Sequence, residues 1–102
     1  MKVCKFGGSS VADAKQVTKI IDIVLADADR RIVVVSAPGK RSKADTKVTD
    51  MLIQCAEEAL ADKCTKQSLA AIVERYAEIQ RDLNLPVSII AEIESDLKAR
   101  LA

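Results

Sequence analysis

The sequence predicts an α/β fold built from one strand–helix–strand unit followed by helices. Two short segments with strand character, Lys2–Phe6 and Ile32–Val35, flank a stretch in which apolar residues recur every three or four positions. The second segment is wholly apolar and β-branched, which is typical of a strand buried on both faces of a parallel sheet. From about residue 48 onward, the apolar residues keep a helical spacing.

The first predicted strand covers residues 2–6 and ends at Gly7 and Gly8, which favour a turn. A helix is expected next, with Ser9 or Ser10 as its N-cap and Asp13 in its first turn. A polar turn and the second strand complete residues 1–39 as one unit.

The rest of the chain is predicted to be a basic loop followed by helices. Residues 40–47 carry four Lys or Arg side chains and one Asp, and their ordinary interpretation is a solvated, mobile loop. Helices are expected from about 48, over 68–83 and from about 86, with Asn84 at a helix end and Pro86 at the next start. Residues 48–102 would therefore form a helical subdomain.

Composition excludes several classes of function. The chain has 102 residues and a net charge of +1, which argues against a protein that coats nucleic acid or an anionic membrane. One Phe and one Tyr leave few rings on which bases could stack. Because the chain has no His, it cannot supply a His general base, a Ser–His–Asp triad or a His-containing zinc site.

Targeting and redox signals are also few. The longest apolar run, Ile32–Val35, is too short to span a bilayer, and the charged N-terminus lacks the apolar stretch of a signal peptide, so we expect a cytoplasmic protein. The three cysteines form no CxxC pair and are expected to be reduced thiols. Cys4 and Cys55 fall among apolar positions and should pack as small hydrophobic residues.

All three glycines follow the carboxyl ends of the predicted strands, which is the edge where open α/β sheets bind ligands. Lys5, Gly7, Gly8 and Ser9 combine a positive charge, approachable backbone and a hydroxyl, and they predict a cradle for a phosphate. The alternative is a tight strand-to-helix turn with serine caps and a solvated lysine. Gly39 and Lys40 are followed by Arg41 in place of Ser or Thr, so no Walker A loop is present. The sequence also has no Gly-x-Gly-x-x-Gly, which disfavours a Rossmann dinucleotide site.

A second turn, Ser36–Gly39, follows the buried strand. Since adjacent parallel strands end at one edge, Ser36 should lie beside the glycine turn. Its ordinary role would be to end the strand and bond to its own turn. Thr49 and Asp50 lie at a helix start, where they could equally be ordinary capping residues.

Three segments of the chain resemble the opening of the aspartate kinases in the amino-acid kinase family. They are Lys5–Ser10, Val33–Lys40 and Thr49–Leu52, in the family's order and spacing. The resemblance implies a three-layer fold of which this chain holds the first part. It also implies ATP-dependent phosphorylation of the aspartate side chain to aspartyl phosphate, toward lysine, threonine and methionine, with Mg²⁺ accompanying ATP.

The family's phosphate-side roles transfer to the first motif. By resemblance, Lys5 is the catalytic lysine that contacts the transferring phosphoryl group. The amides of Gly7 and Gly8 hold phosphate oxygens, and Ser9 belongs to the same cradle.

The substrate-side roles transfer to the later motifs. By resemblance, Ser36 lies near the aspartate substrate and Thr49 contacts it. In many relatives that threonine follows the turn closely. Here residues 41–48 intervene, so Thr46 is a rival for the same role.

Later parts of the family's active site have no counterpart in this sequence, including its Gly-Gly-Ser-Asp segment, its nucleotide-base pocket and its regulatory ACT domains. They are expected beyond residue 102, so the partners would be ATP, L-aspartate, the remainder of the kinase chain and a second copy. The isolated chain is expected to be inactive. The alternatives are another member of the family, such as a glutamate or uridylate kinase, a non-catalytic phosphate- or nucleotide-binding regulatory protein, and a helical interaction module over 48–102.

Overall fold

The computed structural model describes residues 1–101, which divide into two compact units, residues 1–49 and the part from residue 50 onward. The first unit runs through strand β1, a short 3₁₀ helix, helix α1 and strand β2, and it includes the start of helix α2. Helices α3 and α4 follow in the second unit. The bounds are β1 Lys2–Phe6, 3₁₀ helix Gly8–Val11, α1 Ala14–Leu25, β2 Arg30–Val35, α2 Val48–Leu60, α3 Lys66–Asp82 and α4 Ser88–Leu101. The predicted α/β class is confirmed.

The two strands pair in parallel, with Lys5 opposite Val34 and Phe6 opposite Val35. The predicted burial of the second strand on both faces is wrong for this chain, because residues 32–35 remain 42–57% exposed. Within the described residues β2 has one strand neighbour, β1, so its other edge has no strand against it. The apolar residues of β2 are typical of an internal strand, but in this two-stranded sheet β2 lies at an edge.

Helix α1 begins later than predicted. The Asp13 carboxylate accepts a hydrogen bond from the Gln16 N–H at 3.0 Å, so Asp13 is the N-cap, and the expectation of Ser9 or Ser10 is wrong. The serines lie in the 3₁₀ helix, where the Ser10 N–H donates to the Gly7 carbonyl at 3.1 Å. Ala14 and Ile20 form the buried side of α1.

In the second unit, α3 packs against α4 and provides most of the buried side chains, including the fully buried Ile72. Cys55 of α2 is also buried, whereas Cys4 is half-buried. Asn84 ends α3 with φ 56°, in the left-handed region, which confirms the predicted helix end. Helix α4 begins two residues after Pro86. None of the helices in the described part of the chain is long and apolar enough to cross a membrane.

Candidate ligand site at the carboxyl edge of the sheet

Two turns leave the sheet side by side. Because β1 and β2 are parallel and Phe6 is opposite Val35, residues 7–9 and 36–39 follow the same edge of the sheet. The Ser36 N–H donates to the Phe6 carbonyl at 3.2 Å and extends the pairing by one residue. We call residues 7–9 the glycine turn and residues 36–39 the serine turn.

The two turns contact each other directly. The Gly39 N–H donates to the Gly8 carbonyl oxygen at 2.7 Å. A Cβ on Gly39 would lie 2.6 Å from the Gly8 carbonyl carbon and 2.8 Å from the Ser9 nitrogen, so no side chain fits there without movement. None of the three glycines has a positive φ. Close backbone approach is therefore what requires glycine at position 39.

Gly7 has the opposite surroundings. Its backbone is extended, with φ −75° and ψ 178°, and a Cβ built on it would meet no atom within 4 Å. Neither conformation nor packing in the described chain requires glycine at this position. The side of Gly7 toward which a Cβ would project is open, and the neighbouring Lys5 and Ser9 are exposed.

The serine turn also anchors the start of α2. The Val48 N–H donates to the Pro38 carbonyl at 2.9 Å, and Val48 is completely buried. Thr49, the next residue, is exposed in the first turn of α2, close in sequence to that anchor. Ser36 is exposed as well, and Thr46 is exposed in the loop between. Whether Thr49 or Thr46 contacts a substrate stays a prediction.

The basic stretch 40–47 is ordered by an internal ion pair. The Asp45 carboxylate accepts from the Arg41 backbone N–H at 2.9 Å, from its Nε at 2.7 Å and from its Nη2 at 3.0 Å. The Asp45 N–H donates to the Ser42 carbonyl at 3.2 Å. The loop is solvated, as predicted, but it has a defined local structure and exposes Lys40, Lys43 and Lys47.

Asp27, a carboxyl group of the first unit with a lowered pKa, lies away from this edge. The Lys2 side chain hydrogen-bonds Asp27 at 2.5 Å and, with the Asp29 N–H and the nearby Arg30, lowers the pKa of Asp27. Lys2 begins β1, so this pair belongs to the amino end of the strands. Residues 1–101 contain no group of three His, Cys, Asp or Glu side chains placed to hold a metal ion.

The arrangement at the carboxyl edge suits binding and positioning of an anion. It offers the exposed side chain of Lys5, the exposed hydroxyls of Ser9 and Ser36, and the exposed backbone of Gly7. Gly39 was predicted to lie at this edge, but the sequence assigned it no role in the site. Glycine in both turns at the same edge was a sign that the turns could approach each other. The contact itself depends on the tertiary structure and is not visible in the sequence.

The chain matches one protein family almost throughout. The model of the amino acid kinase family matches residues 1–97. Aspartokinase 3 of Bacillus subtilis is 54% identical over 97 residues, which are 95% of this chain and 21% of that protein. Lysine-sensitive aspartokinase 3 of Escherichia coli is 38% identical over 92 residues, which are 90% of this chain and 19% of that protein.

Solved structures give the same relationship. Clostridium acetobutylicum aspartate kinase superimposes with a TM-score of 0.83 at 34% identity, over 95% of this chain and 23% of that one. The E. coli aspartokinase III complex with aspartate and ADP superimposes with a TM-score of 0.69 at 34% identity, over 95% of this chain and 20% of that one. The chain thus spans 19–23% of the length of these four relatives.

Proposed function

The chain belongs to the amino acid kinase family, and from that premise we propose that it is the N-terminal segment of an ATP-dependent aspartate kinase. The reaction would transfer the γ-phosphoryl group of MgATP to the side-chain carboxylate of L-aspartate, toward lysine, threonine and methionine. The contact between the glycine turn and the serine turn carries the proposal. It joins Gly8, which is expected to hold phosphate, to the turn that begins at Ser36, which is expected to lie near aspartate.

On the phosphate side, Lys5 would neutralise charge on the transferring phosphoryl group. The backbone amides of Gly7 and Gly8 would hold phosphate oxygens, and the exposed Ser9 would add a hydroxyl. The lack of any atom within 4 Å of the Cβ position of Gly7 supports this role. Phosphoryl transfer depends mainly on positioning and charge stabilisation, which are what these groups supply.

On the acceptor side, Ser36 and Thr49, with Thr46 as the rival, would orient aspartate. An aspartate carboxylate is ionised at neutral pH and is already a nucleophile, so no general base is needed. The absence of His from this chain is therefore compatible with the reaction.

The remaining active-site groups would come from further chain, since the relatives are about five times longer. We propose that the 102-residue chain alone is inactive, and that the parent enzyme is cytoplasmic and self-associates. The E. coli relative whose structure contains aspartate and ADP supports the choice of substrate and nucleotide.

The test is a hybrid enzyme. Residues 1–97 of this chain replace the matching segment of the Bacillus subtilis relative, which is 54% identical over that length. We expect the hybrid to form aspartyl hydroxamate from MgATP, aspartate and hydroxylamine, and the 102-residue chain alone to form none. Lys5→Ala in the hybrid should lower kcat by roughly 100-fold or more, as loss of a group that stabilises transition-state charge does. Lys19→Ala, at an exposed lysine of α1, is the matched control and should change nothing.

Three outcomes would contradict the proposal. Equal turnover of glutamate would favour another member of the family. Full activity after Lys5→Ala would remove the lysine from the mechanism. An inactive but folded hybrid, together with ATP binding by the chain alone, would favour a non-catalytic nucleotide-binding protein.

A further inference from the structure

We infer that Gly39 is a positioning residue that fixes the separation between the phosphate-binding and aspartate-binding halves of the site. The inference rests on the proposed function, which places phosphate at the glycine turn and aspartate at the serine turn. Gly39 lies in the serine turn at its contact with the glycine turn, and neither the sequence motifs nor the comparisons give it a role.

Three backbone hydrogen bonds hold the serine turn. At the start of the serine turn, the Ser36 N–H donates to the carbonyl at the end of β1. The Pro38 carbonyl accepts a hydrogen bond from the Val48 N–H of α2. These two bonds fix the turn to the sheet and to the helix. The third, from the Gly39 N–H to the Gly8 carbonyl at 2.7 Å, joins it to the glycine turn itself.

The backbones at this third point are as close as glycine permits. A Cβ added to Gly39 would overlap the Gly8 carbonyl carbon at 2.6 Å, its oxygen at 2.8 Å and the Ser9 nitrogen at 2.8 Å, while ordinary Cβ contacts begin at 3.4 Å. All three overlapping atoms are backbone, so no side-chain rotation relieves them. An alanine at 39 must therefore move the two turns apart by nearly an ångström at this point.

Such a displacement has a particular kinetic signature. Each turn keeps its own residues, so each substrate can still bind, but the reacting atoms are no longer held at the productive distance. A misplacement of about 1 Å can cost about 100-fold in rate. Loss of kcat with little change in KM is the pattern of an interaction needed only in the transition state.

The experiment compares Gly39→Ala with Gly7→Ala in the hybrid enzyme. For Gly39→Ala we expect kcat to fall about 100-fold while KM for ATP and for aspartate changes less than about threefold. Gly7→Ala is the matched glycine-to-alanine change, and its methyl group points into open space. It should instead raise KM for ATP, because the methyl group occupies the approach of the phosphates. Thermal unfolding of both variants shows whether they are folded.

A milder variant approaches the same contact from the other side. A Cβ on Gly8 lies 3.1 Å from the Ala37 oxygen and 3.3 Å from the Gly39 Cα, so neighbours need to give only a few tenths of an ångström. Gly8→Ala should lower kcat several-fold while KM for ATP changes less than about threefold. This split decides the question if Gly39→Ala fails to fold, because a damaged phosphate contact would raise KM for ATP instead.

Unchanged kcat in a folded Gly39→Ala hybrid would overturn the inference, as would a rise in one KM with kcat intact. If the unsubstituted hybrid is inactive, the proposed function fails. The contact between the two turns is then tested without activity, in the 102-residue chain. There, Gly39→Ala should shift the amide resonances of Gly8 and Ser9, and unshifted resonances would refute the coupling.

Discussion

Ile32→Lys should abolish a self-association that we expect of the unsubstituted 102-residue chain. Val3 and Ile32 are register partners, as are Lys5 and Val34, so the four share one face of the sheet. Val3, Ile32 and Val34 are 64%, 42% and 46% exposed. The outer edge of β2 has no strand beside it in the described chain, so its backbone groups are available to another strand.

The exposed side chains set the size of the effect. A second strand beside the free edge of β2 covers side chains on both faces of that strand, and its four apolar residues, Ile32–Val35, are each about half exposed. Burying half of such a side chain contributes about 1 kcal/mol, which amounts to about 4 kcal/mol per copy and about 8 kcal/mol for a pair. The backbone hydrogen bonds between the two paired strands add about 2 kcal/mol in total. Against an association cost of about 5 kcal/mol, the net corresponds to a Kd of roughly 0.1–1 mM.

Sedimentation equilibrium between about 10 μM and 1 mM, a range that brackets this Kd, measures the effect. The unsubstituted chain should shift from monomer toward dimer across that range, and Ile32→Lys should stay monomeric because a charge must then be desolvated at the contact. Leu60→Lys makes the same apolar-to-lysine change at a residue 88% exposed at the end of α2, and should associate like the unsubstituted chain. A chain that is monomeric at about 1 mM, or an Ile32→Lys variant that still associates, would refute the reasoning.

Burial and charge give two further predictions. Cys64 is exposed, whereas Cys55 is buried and desolvation raises the pKa of its thiol, so a thiol reagent under native conditions should label Cys64 first and Cys55 only on unfolding, as read by mass spectrometry. Early labelling of Cys55 would contradict its burial. The hydrogen bond from Lys2 lowers the pKa of Asp27, so its stabilisation is present above about pH 4 and is lost as the pH falls through the folded-state pKa. Asp27→Asn should therefore lower Tm at about pH 7 but not near pH 2, and an equal Tm difference at both pH values would argue against this assignment.

The sequence was sufficient to predict most of the local elements and to show that the two glycine-containing turns follow the same edge of the sheet. The strands, the two turns and the helix end at Asn84 follow from β-branched runs, glycines and a residue that tolerates positive φ. The N-cap of α1 was not decidable locally, because Ser and Asp cap helices about equally well and three candidates lie within five positions. Tertiary contact selects Asp13 by placing the serines in a 3₁₀ helix beside the serine turn.

Two other features depend on what lies around each segment. The pattern of Ile32–Val35 indicates an internal strand, but exposure depends on the neighbours present, which a local pattern does not contain. The overlap at Gly39 arises from Gly8 and Ser9, which lie 31 and 30 positions earlier in the sequence, and a single glycine in a turn does not signal it. The family resemblance from three short motifs is confirmed by the match over residues 1–97.

The bond between the Pro38 carbonyl and the Val48 N–H also bears on how this family can vary. Because this bond joins the two ends of the intervening loop, the chain leaves the serine turn and enters α2 at nearly one point. We expect that residues can be inserted or deleted between Gly39 and Val48 without displacing Thr49, since doubling a loop's length costs only about 0.6 kcal/mol in closure entropy. The number of residues between the serine turn and Thr49 can therefore change while the two keep the same positions relative to each other. Patterns that require a fixed spacing would miss relatives whose sites are built alike.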